Sequence, residues 1–392
     1  EAGREVTYST NGRSHTRWCF GGAPEVVREL SGRPWQDVTR RDQRVTAPLS
    51  LVGLEPGRSA SDSGLLRRAQ GAILGQLAGD SLGSLVEFQR ASQIKRSYPD
   101  GPRLLADGGT FGTIAGQPTD DSECALMLAR SIVRAGGYDE KAAAASYSYW
   151  HQSDPFDEGT TTSQALEAVT TDDVVAGTAA ARLRAAASRS SQSNGSLMRI
   201  SPLGVWGHTL PPGRLADFAR ADSALTHPHP VCQESCAVYT ITLAYAVATG
   251  ASAREVYSHA LDWARSECPE PSVVDAIRRA ADGPPLDFYT HQGWVLVALQ
   301  NAFHQLLSAP NLEEGVVRTV ASGGDTDTNG AIAGALLGAV HGRDAVPRQW
   351  RQMVLSCRPI ADLAKTRHPR PEPFWPVDAL ELAERLLLAS SR

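Results

Sequence analysis

The chain has almost no lysine: only Lys95, Lys141 and Lys365 occur among its 38 basic residues. The other basic residues are arginines, and we interpret this bias as a base-composition signature of the genome. Because the formal net charge is −5, no basic field indicates a nucleic-acid partner.

Cysteine pairs of the metal-binding or redox type are also lacking. The six cysteines show no C-x-x-C spacing, and only Cys232 and Cys236 lie four residues apart. We therefore expect reduced, buried thiols in place of zinc ligands or disulfides. No apolar run is long enough to span a membrane, and the first residues carry no apolar signal segment. Composition thus predicts a soluble protein of a reducing cytoplasm.

The first sixty residues differ in pattern from the rest. Residues 6–8 and 16–20 flank Asn11-Gly12, which predicts a β-hairpin, and residues 23–30 have the pattern of a short helix. The stretch 54–64 is rich in Gly, Ser and Pro and is typical of a linker. We predict an N-terminal extension and linker over 1–61 and a second domain over 62–392.

The predicted second domain carries almost wholly helical signals. Gly and Pro punctuate the joins between apolar-periodic segments, and no series of alternating strands occurs. The fold class is therefore predicted to be all-α, with one compact domain of about a dozen helices. Helices are expected, among other places, at 141–150, 214–225, 230–249, 253–266, 271–281, 292–307 and 312–321.

Glycine recurs every fourth residue in two segments. The first contains Gly71, Gly75, Gly79 and Gly83, and the second Gly330, Gly334, Gly338 and Gly342. This spacing places glycines on one helix face and predicts a close helix–helix approach. A membrane interface of the GxxxG type is the rival interpretation. Polar residues within the first segment argue against it.

Two acidic clusters lie far apart in the chain. Thr119-Asp120-Asp121 opens an apolar helical segment, and taken alone it fits a well-capped helix start. Asp325-Thr326-Asp327-Thr328 follows two glycines and opens the second glycine-rich segment, whose small and apolar residues predict burial. Buried carboxylates need partners, and no Lys or Arg lies in the immediate run.

Together the clusters supply four carboxylates and two hydroxyls. This all-oxygen set suits Mg²⁺ or Mn²⁺, whereas Zn²⁺ would favour His or Cys. The predicted metal ligands are Thr119, Asp120, Asp121, Asp325, Asp327 and Thr328, around two metal ions.

The order of these motifs resembles the ADP-ribosylglycohydrolases, a family that includes dinitrogenase-reductase-activating glycohydrolase and the ADP-ribosylhydrolases. The resemblance covers roughly residues 64–390. It rests on the glycine repeat 71–83, Asp120-Asp121, the run S-N-G-S-L-M-R at 193–199 and G-G-D-T-D-T at 323–328. It implies an all-α fold with two metal ions, Mg²⁺ or Mn²⁺, in a central cleft.

The resemblance also implies roles for other residues. Glu87 matches an acid near the metals; a solvated Glu at a helix end is the alternative. His227 matches a substrate-contacting histidine, against a capping or packing role. The resemblance also implies contacts with ADP-ribose; the alternative for the loop at 193–199 is an ordinary turn between helices. The implied contact residues are Gly109, Ser193, Asn194, Gly195, Ser196, Met198 and Arg199.

The implied reaction is hydrolysis of the bond between ADP-ribose and a protein side chain, with arginine linkage favoured. Asp120 or Asp121 would orient or deprotonate the attacking water, and an oxocarbenium-like transition state would suit nearby carboxylates. Two alternatives stay open: a non-catalytic ADP-ribose-binding protein, and an immunity protein that blocks an ADP-ribosyltransferase toxin through residues 1–60. Trp18, Phe20 and Trp35 could anchor such a partner or pack onto the body.

Overall fold

A computed structural model describes residues 4–10 and 13–19 as backbone, and residues 49–54 and 57–390 with side chains. Strands β1 (Arg4–Thr10) and β2 (Arg13–Cys19) pair antiparallel, with Arg4 opposite Cys19 and Thr10 opposite Arg13. The two strands of the predicted hairpin are therefore confirmed. Its turn at Asn11-Gly12, the predicted helix 23–30, Phe20 and Trp35 lie outside the described residues.

The rest of the described chain is helical, as predicted. In chain order its α-helices are α1 (Ser63–Gly83), α2 (Ala91–Ser97), α3 (Asp120–Ala135), α4 (Glu140–Gln152), α5 (Thr160–Leu166), α6 (Thr171–Ala176), α7 (Ala179–Ala186), α8 (Ser201–Trp206), α9 (Pro212–Ser223), α10 (Pro230–Thr249), α11 (Ala253–Glu267), α12 (Pro271–Ala280), α13 (Val295–Ser308), α14 (Leu312–Ala321), α15 (Thr326–His341), α16 (Arg348–Ser356) and α17 (Ala379–Ser390). One apolar core runs through this set.

Most predicted helix bounds hold to within two residues, and α10 and α14 begin and end where predicted. The start of α13 is three residues later than predicted. Trp294 is extended there, and the Val295 N–H donates to the Gln192 carbonyl at 3.0 Å. The residues before α13 are therefore held against the loop at Ser193 and cannot join the helix.

Helices α1 and α15 cross at the centre in antiparallel contact through their glycines. A Cβ added at Gly75 would overlap the Gly334 carbonyl, and one at Gly79 would overlap that of Gly330. At the end of α1, the Thr326 hydroxyl donates to the Gly83 carbonyl at 2.7 Å. The predicted close approach is confirmed, and it brings the C-terminal end of α1 to the N-terminal end of α15.

The stretch predicted as a linker contacts the last helix of the body. The Val52 N–H donates to Asp378 at 2.7 Å, and the Ala60 N–H donates to Glu384 at 2.8 Å. These contacts order the described part of residues 49–60 against α17 and the turn before it. The domain boundary near residue 62 stays a prediction.

Two expectations from composition are testable on the described residues. Five cysteines, at 124, 232, 236, 268 and 357, are free thiols. None of the described helices is long and apolar enough to cross a membrane. The glycines at the contact between α1 and α15 are buried within the helical body.

Candidate metal centre and ligand-binding loop

The close contact of α1 with α15 places Glu87 beside the second acidic cluster. After α1 the chain crosses the turn at Gly323-Gly324, where the Phe88 N–H donates to the Gly324 carbonyl at 2.8 Å. Both glycines have φ of 78°, and a Cβ at either would meet backbone atoms. Phe88 itself has a φ of 62°, a strained value for a bulky residue.

Glu87, Asp325 and Asp327 form a buried triad at this junction. One carboxylate oxygen from each lies within 4.8 Å of the others. The solvated helix-end role for Glu87 is therefore wrong, because its side chain is buried and only 6% exposed. Asp327 follows the α15 N-terminus, where the helix dipole favours negative charge.

The first acidic cluster opens α3 and is held by an acid that sequence reasoning missed. Asp80, in the last turn of α1, accepts hydrogen bonds from the Thr119 N–H at 3.1 Å, the Thr119 hydroxyl at 3.0 Å and the Ser122 N–H at 3.1 Å. The Thr119 hydroxyl also lies 3.0 Å from Asp121 Oδ2. Asp80 thus performs from α1 the capping role expected of Thr119.

The two clusters meet across a single threonine. Thr328 lies close enough to both Asp121 and Asp325 for its side chain to lower the pKa of each, against the larger raising effect of burial. Burial, and then the charges of neighbouring acids, raise the pKa of Asp121 and of Asp327 well above the usual range. Burial and the charge of Asp325 raise the pKa of Glu87 to about 9. So many close acids stay ionised together only with a cation between them.

The unpaired oxygens of these acids fit a divalent cation. Glu87 Oε2, Asp121 Oδ1 and Asp327 Oδ2 are buried without a hydrogen-bond partner in the described structure. Among the described residues we find no arginine or lysine in an ion pair with the cluster. Buried, unpaired carboxylate oxygens from three elements are the donor set that a hard cation requires.

A second missed acid flanks the cluster on the loop between α4 and α5. Asp157 lies beside Asp120 and influences the pKa of that carboxyl, and the Gly159 N–H donates to Asp120 Oδ2 at 3.3 Å. Partial burial and the charge of Asp120 raise the pKa of Asp157 to about 11. Asp157 therefore adds a further carboxyl group beside Asp120 at this edge of the cluster.

The loop at 193–199 joins the acidic cluster through Asn194, whose amide donates to Asp325 Oδ2 at 2.8 Å. Ser193 lies beside it, half-buried, with its hydroxyl 2.9 Å from His227 Nε2. A Cβ at Gly195 would lie 2.9 Å from the His227 ring. The structure therefore brings Ser193, Asn194, Gly195 and His227 together at the edge of the cluster.

Other residues of the loop are directed into the core. The Ser196 hydroxyl accepts from Ser223, and the Met198 carbonyl accepts from Gln76. Arg199 is fully buried and donates to Asp222 and Thr226. The contact of Ser196, Met198 and Arg199 with ADP-ribose stays a prediction.

Gly109 packs against the backbone that follows the C-terminal end of α1. It has a φ of 77°, and a Cβ there would lie 2.5 Å from the Ser84 carbonyl oxygen. The next residue, Thr110, donates its N–H to the same carbonyl at 3.0 Å. Gly109 thus packs close to the backbone that leads to Glu87, and its contact with a ligand stays a prediction.

Sequence signals for the missed acids are uneven. Asp80 is a lone carboxylate inside a glycine-rich segment predicted to be buried, so its burial alone could have marked it. Asp157 lies in an irregular loop, where an acid is ordinary. Only the fold brings it to Asp120.

The comparisons with known proteins bear on this geometry. The family model described as ADP-ribosylglycohydrolase matches residues 61–380. The chain belongs to the ADP-ribosylglycohydrolase family. This confirms the resemblance drawn from the motifs, and it makes the protein a hydrolase of glycosidic bonds. Members of this family are metal-dependent, and the buried acidic triad could hold a metal ion.

Individual relatives agree with the family. The chain is 30% identical to ADP-ribosyl-[dinitrogen reductase] glycohydrolase of Rhodospirillum rubrum, over 72% of this chain and 88% of that protein. It is 26% identical to ADP-ribosylarginine hydrolase Tri1 of Pseudomonas putida, over 93% and 94%. A solved structure, an ADP-ribosylglycohydrolase-related protein complex, superposes with a TM-score of 0.66 at 26% identity, over 84% of this chain and all of that chain. The all-α fold is thereby confirmed.

Proposed function

We propose that the protein uses two Mg²⁺ or Mn²⁺ ions to remove ADP-ribose from modified protein side chains, with arginine as the preferred acceptor. The observation that carries the proposal is the buried triad of Glu87, Asp325 and Asp327, with its unpaired oxygens beside Asp121. Arginine linkage is supported by the name of the Pseudomonas putida relative.

In this proposal Thr119, Asp120, Asp121, Asp325, Asp327 and Thr328 hold the ions, and Glu87 faces them. When bound, the ions make water more acidic and orient the sugar. Asp120 or Asp121 aligns the attacking water as the general base. The Gly159 N–H, which donates to Asp120 Oδ2, and the neighbouring Asp157 would position the Asp120 carboxylate.

The remaining carboxylates suit the positive charge that develops on the ribose in the transition state. Ser193, Asn194, Gly195 and His227 would position the ADP-ribose at the edge of the cluster, with small side chains allowing close approach. The hydrogen bond from the Asn194 amide to Asp325 holds the loop beside the acidic cluster. Binding and catalysis would therefore be coupled through one hydrogen bond.

A release assay tests the proposal. Arginine-linked and serine-linked ADP-ribosyl peptides are incubated with the protein in Mg²⁺, in Mn²⁺ and in EDTA. We expect release from the arginine-linked peptide with either metal and none in EDTA. Release that survives EDTA contradicts the metal role, and release confined to the serine-linked peptide contradicts the acceptor preference.

A second candidate function is toxin blocking by residues 1–60. The match to the Pseudomonas putida hydrolase covers 93% of this chain, more than residues 61–392 alone can supply, so part of the extension has a counterpart there. An ADP-ribosyltransferase would then be a binding partner in the cytoplasm.

Deletion of residues 1–48 tests this candidate and spares the contacts of Val52 and Ala60 with the body. We expect hydrolysis of the arginine-linked peptide to survive and binding to a candidate transferase to be lost. Equal binding by the shortened and full chains contradicts the blocking role. Loss of hydrolysis would make the extension structural.

A further inference from the structure

A chain of buried hydrogen bonds runs from the core to the Ser193 hydroxyl. Arg199 Nη1 donates to Thr226 Oγ1 at 2.9 Å, Thr226 Oγ1 lies 2.7 Å from His227 Nδ1, and His227 Nε2 lies 2.9 Å from Ser193 Oγ. Arg199, Thr226 and His227 are fully buried, whereas Ser193 is half-buried. The chain therefore ends at a group that a ligand can reach.

The arginine sets the direction of these bonds. A guanidinium only donates, so Thr226 Oγ1 accepts from Arg199. Among the described residues, His227 Nδ1 is the one other hydrogen-bond partner of that hydroxyl. The Thr226 hydrogen must therefore point at Nδ1, since a buried hydroxyl hydrogen without an acceptor costs free energy. Nδ1 is then unprotonated, and Nε2 carries the imidazole hydrogen.

The Ser193 hydroxyl is the next group along this chain of hydrogen bonds. His227 Nε2–H donates to Ser193 Oγ, and the Ser191 hydroxyl also donates to Ser193 Oγ at 3.2 Å. Both acceptor positions of the Ser193 hydroxyl are thereby filled. Its own hydrogen has no acceptor among the described residues, and because Ser193 is half-buried that hydrogen is available to a ligand.

The imidazole is held firmly in this arrangement. Gly195 packs so close to the ring that a Cβ would lie 2.9 Å from it. The backbone N–H of His227 donates to the Ser223 carbonyl at 2.7 Å. Burial, with the nearby charge of Arg199, lowers the pKa of His227 to about 3. The ring is therefore neutral and carries a single hydrogen, on either Nδ1 or Nε2.

We propose that Ser193 is a specificity residue that donates its hydroxyl hydrogen to an acceptor oxygen of the ADP-ribose group, and that Arg199, Thr226 and His227 are positioning residues that fix this direction. The inference rests on the proposed function. It gives Arg199 a role different from ligand contact. The hydrogen bond that Arg199 donates to Thr226 selects the tautomer of His227, and this tautomer determines that Ser193 accepts from His227 and donates to the ligand.

The direct test is nitrogen-15 NMR of the full chain with labelled histidine, which separates protonated from unprotonated ring nitrogens. His227 is assigned by comparison with a His227→Gln variant. We expect Nε2 protonated and Nδ1 unprotonated in the wild type and in Thr226→Ser. In Thr226→Val, which keeps the shape but removes the hydroxyl, we expect this preference to weaken. Protonation at Nδ1 in the wild type overturns the inference.

The functional test is calorimetric binding of free ADP-ribose in MgCl₂. We expect Ser193→Ala and Thr226→Val each to weaken binding about 10-fold, as for one hydrogen bond to a charged group. The double variant should bind no more weakly than Ser193→Ala alone, and Thr226→Ser should bind like the wild type. Thr242→Val is the matched control, since that buried hydroxyl donates to Val238 within its own helix.

The outcomes separate the inference from the proposed function. Additive losses in the double variant would show that Thr226 does not act through Ser193, and would overturn the inference while binding itself stands. If the wild type fails to bind ADP-ribose yet His227 has the expected tautomer, the proposed function fails and the ligand role of Ser193 fails with it. An equal loss in Thr242→Val would reduce the effect to general destabilisation and overturn the inference.

Discussion

The buried carboxylates of this protein fall into two groups. One group is paired within the chain: the ion pairs join Arg130 to Asp378 at 2.6 Å, Arg370 to Glu123 at 2.9 Å and Arg199 to Asp222 at 3.3 Å. The other group is the cluster around Asp121, Asp327 and Glu87, which keeps three oxygens without partners. Burial is similar in both groups, so burial alone does not separate them.

The difference shows where each group obtains its positive charge. The first group has an arginine supplied by the sequence, and its charges are neutralised when the chain folds. The second group is held together by backbone contact between α1 and α15, and in the proposed function its neutralising charge comes from a bound cation. A candidate cation site is therefore recognised by buried carboxylates that have no arginine or lysine partner, and not by the presence of acidic residues alone.

The largest expected effect comes from Asp327→Asn in the unpaired group. We expect release of ADP-ribose from the arginine-linked peptide to fall about 1,000-fold, because the substitution removes a predicted metal ligand. Even mutation of a residue that only hydrogen-bonds a metal ligand lowers metal affinity or activity about 10- to 100-fold. In EDTA the variant should unfold at a higher temperature than the wild type, since one repelling charge is gone. Near-normal turnover with metal supplied would contradict the two-metal proposal.

The same substitution in the paired group should act in the opposite direction on stability. Asp378→Asn removes the partner of Arg130, which is 2% exposed. We expect the free energy of unfolding to fall by about 3–5 kcal/mol, because an arginine charge is left buried and uncompensated. Urea denaturation measures this with and without metal. A loss of stability as large in Asp327→Asn in EDTA would erase the distinction between the two groups.

The close contact between α1 and α15 can be opened without touching a charge. Gly79→Ala places a methyl group against the Gly330 carbonyl, where neither backbone can yield easily. We expect a loss of about 3 kcal/mol in the free energy of unfolding, together with a weaker thermal shift on adding metal. Thermal unfolding with and without Mg²⁺ reports both. An unchanged metal response would show that the acids are placed independently of this contact.

Metal itself should stabilise the wild type by a smaller amount. At a metal concentration 100 times its Kd, binding to the folded state adds about 2.7 kcal/mol, which raises the Tm by several degrees. Asp378→Asn should keep this response, whereas Asp327→Asn should lose most of it. A calorimetric titration of Mn²⁺ into the EDTA-treated and dialysed protein gives the Kd and the number of ions, and a single ion would contradict the predicted pair.

The sequence predicts one group of acids better than the other. Local patterns locate the helices, the glycine contact and both acidic clusters, because capping, helical periodicity and close packing leave marks within a few residues. Arg370 and Glu123 lie 247 residues apart, and nothing local shows which arginine meets which acid. Asp157 reaches the acidic cluster only through the fold, so it was missed for the same reason, whereas the predicted burial of Asp80 was a local signal.

The smallest expected effect provides the control for the glycine contact. Gly213 lies exposed in the first turn of α9, and a Cβ there would meet nothing within 4 Å. Gly213→Ala should therefore raise the free energy of unfolding by about 0.5 kcal/mol, because alanine loses less backbone entropy on folding. Thermal unfolding compares it with Gly79→Ala, and the metal response should be unchanged. If both alanines destabilised alike, glycine content and not close approach would explain the cost, and the backbone contact would lose its role in assembling the unpaired acids.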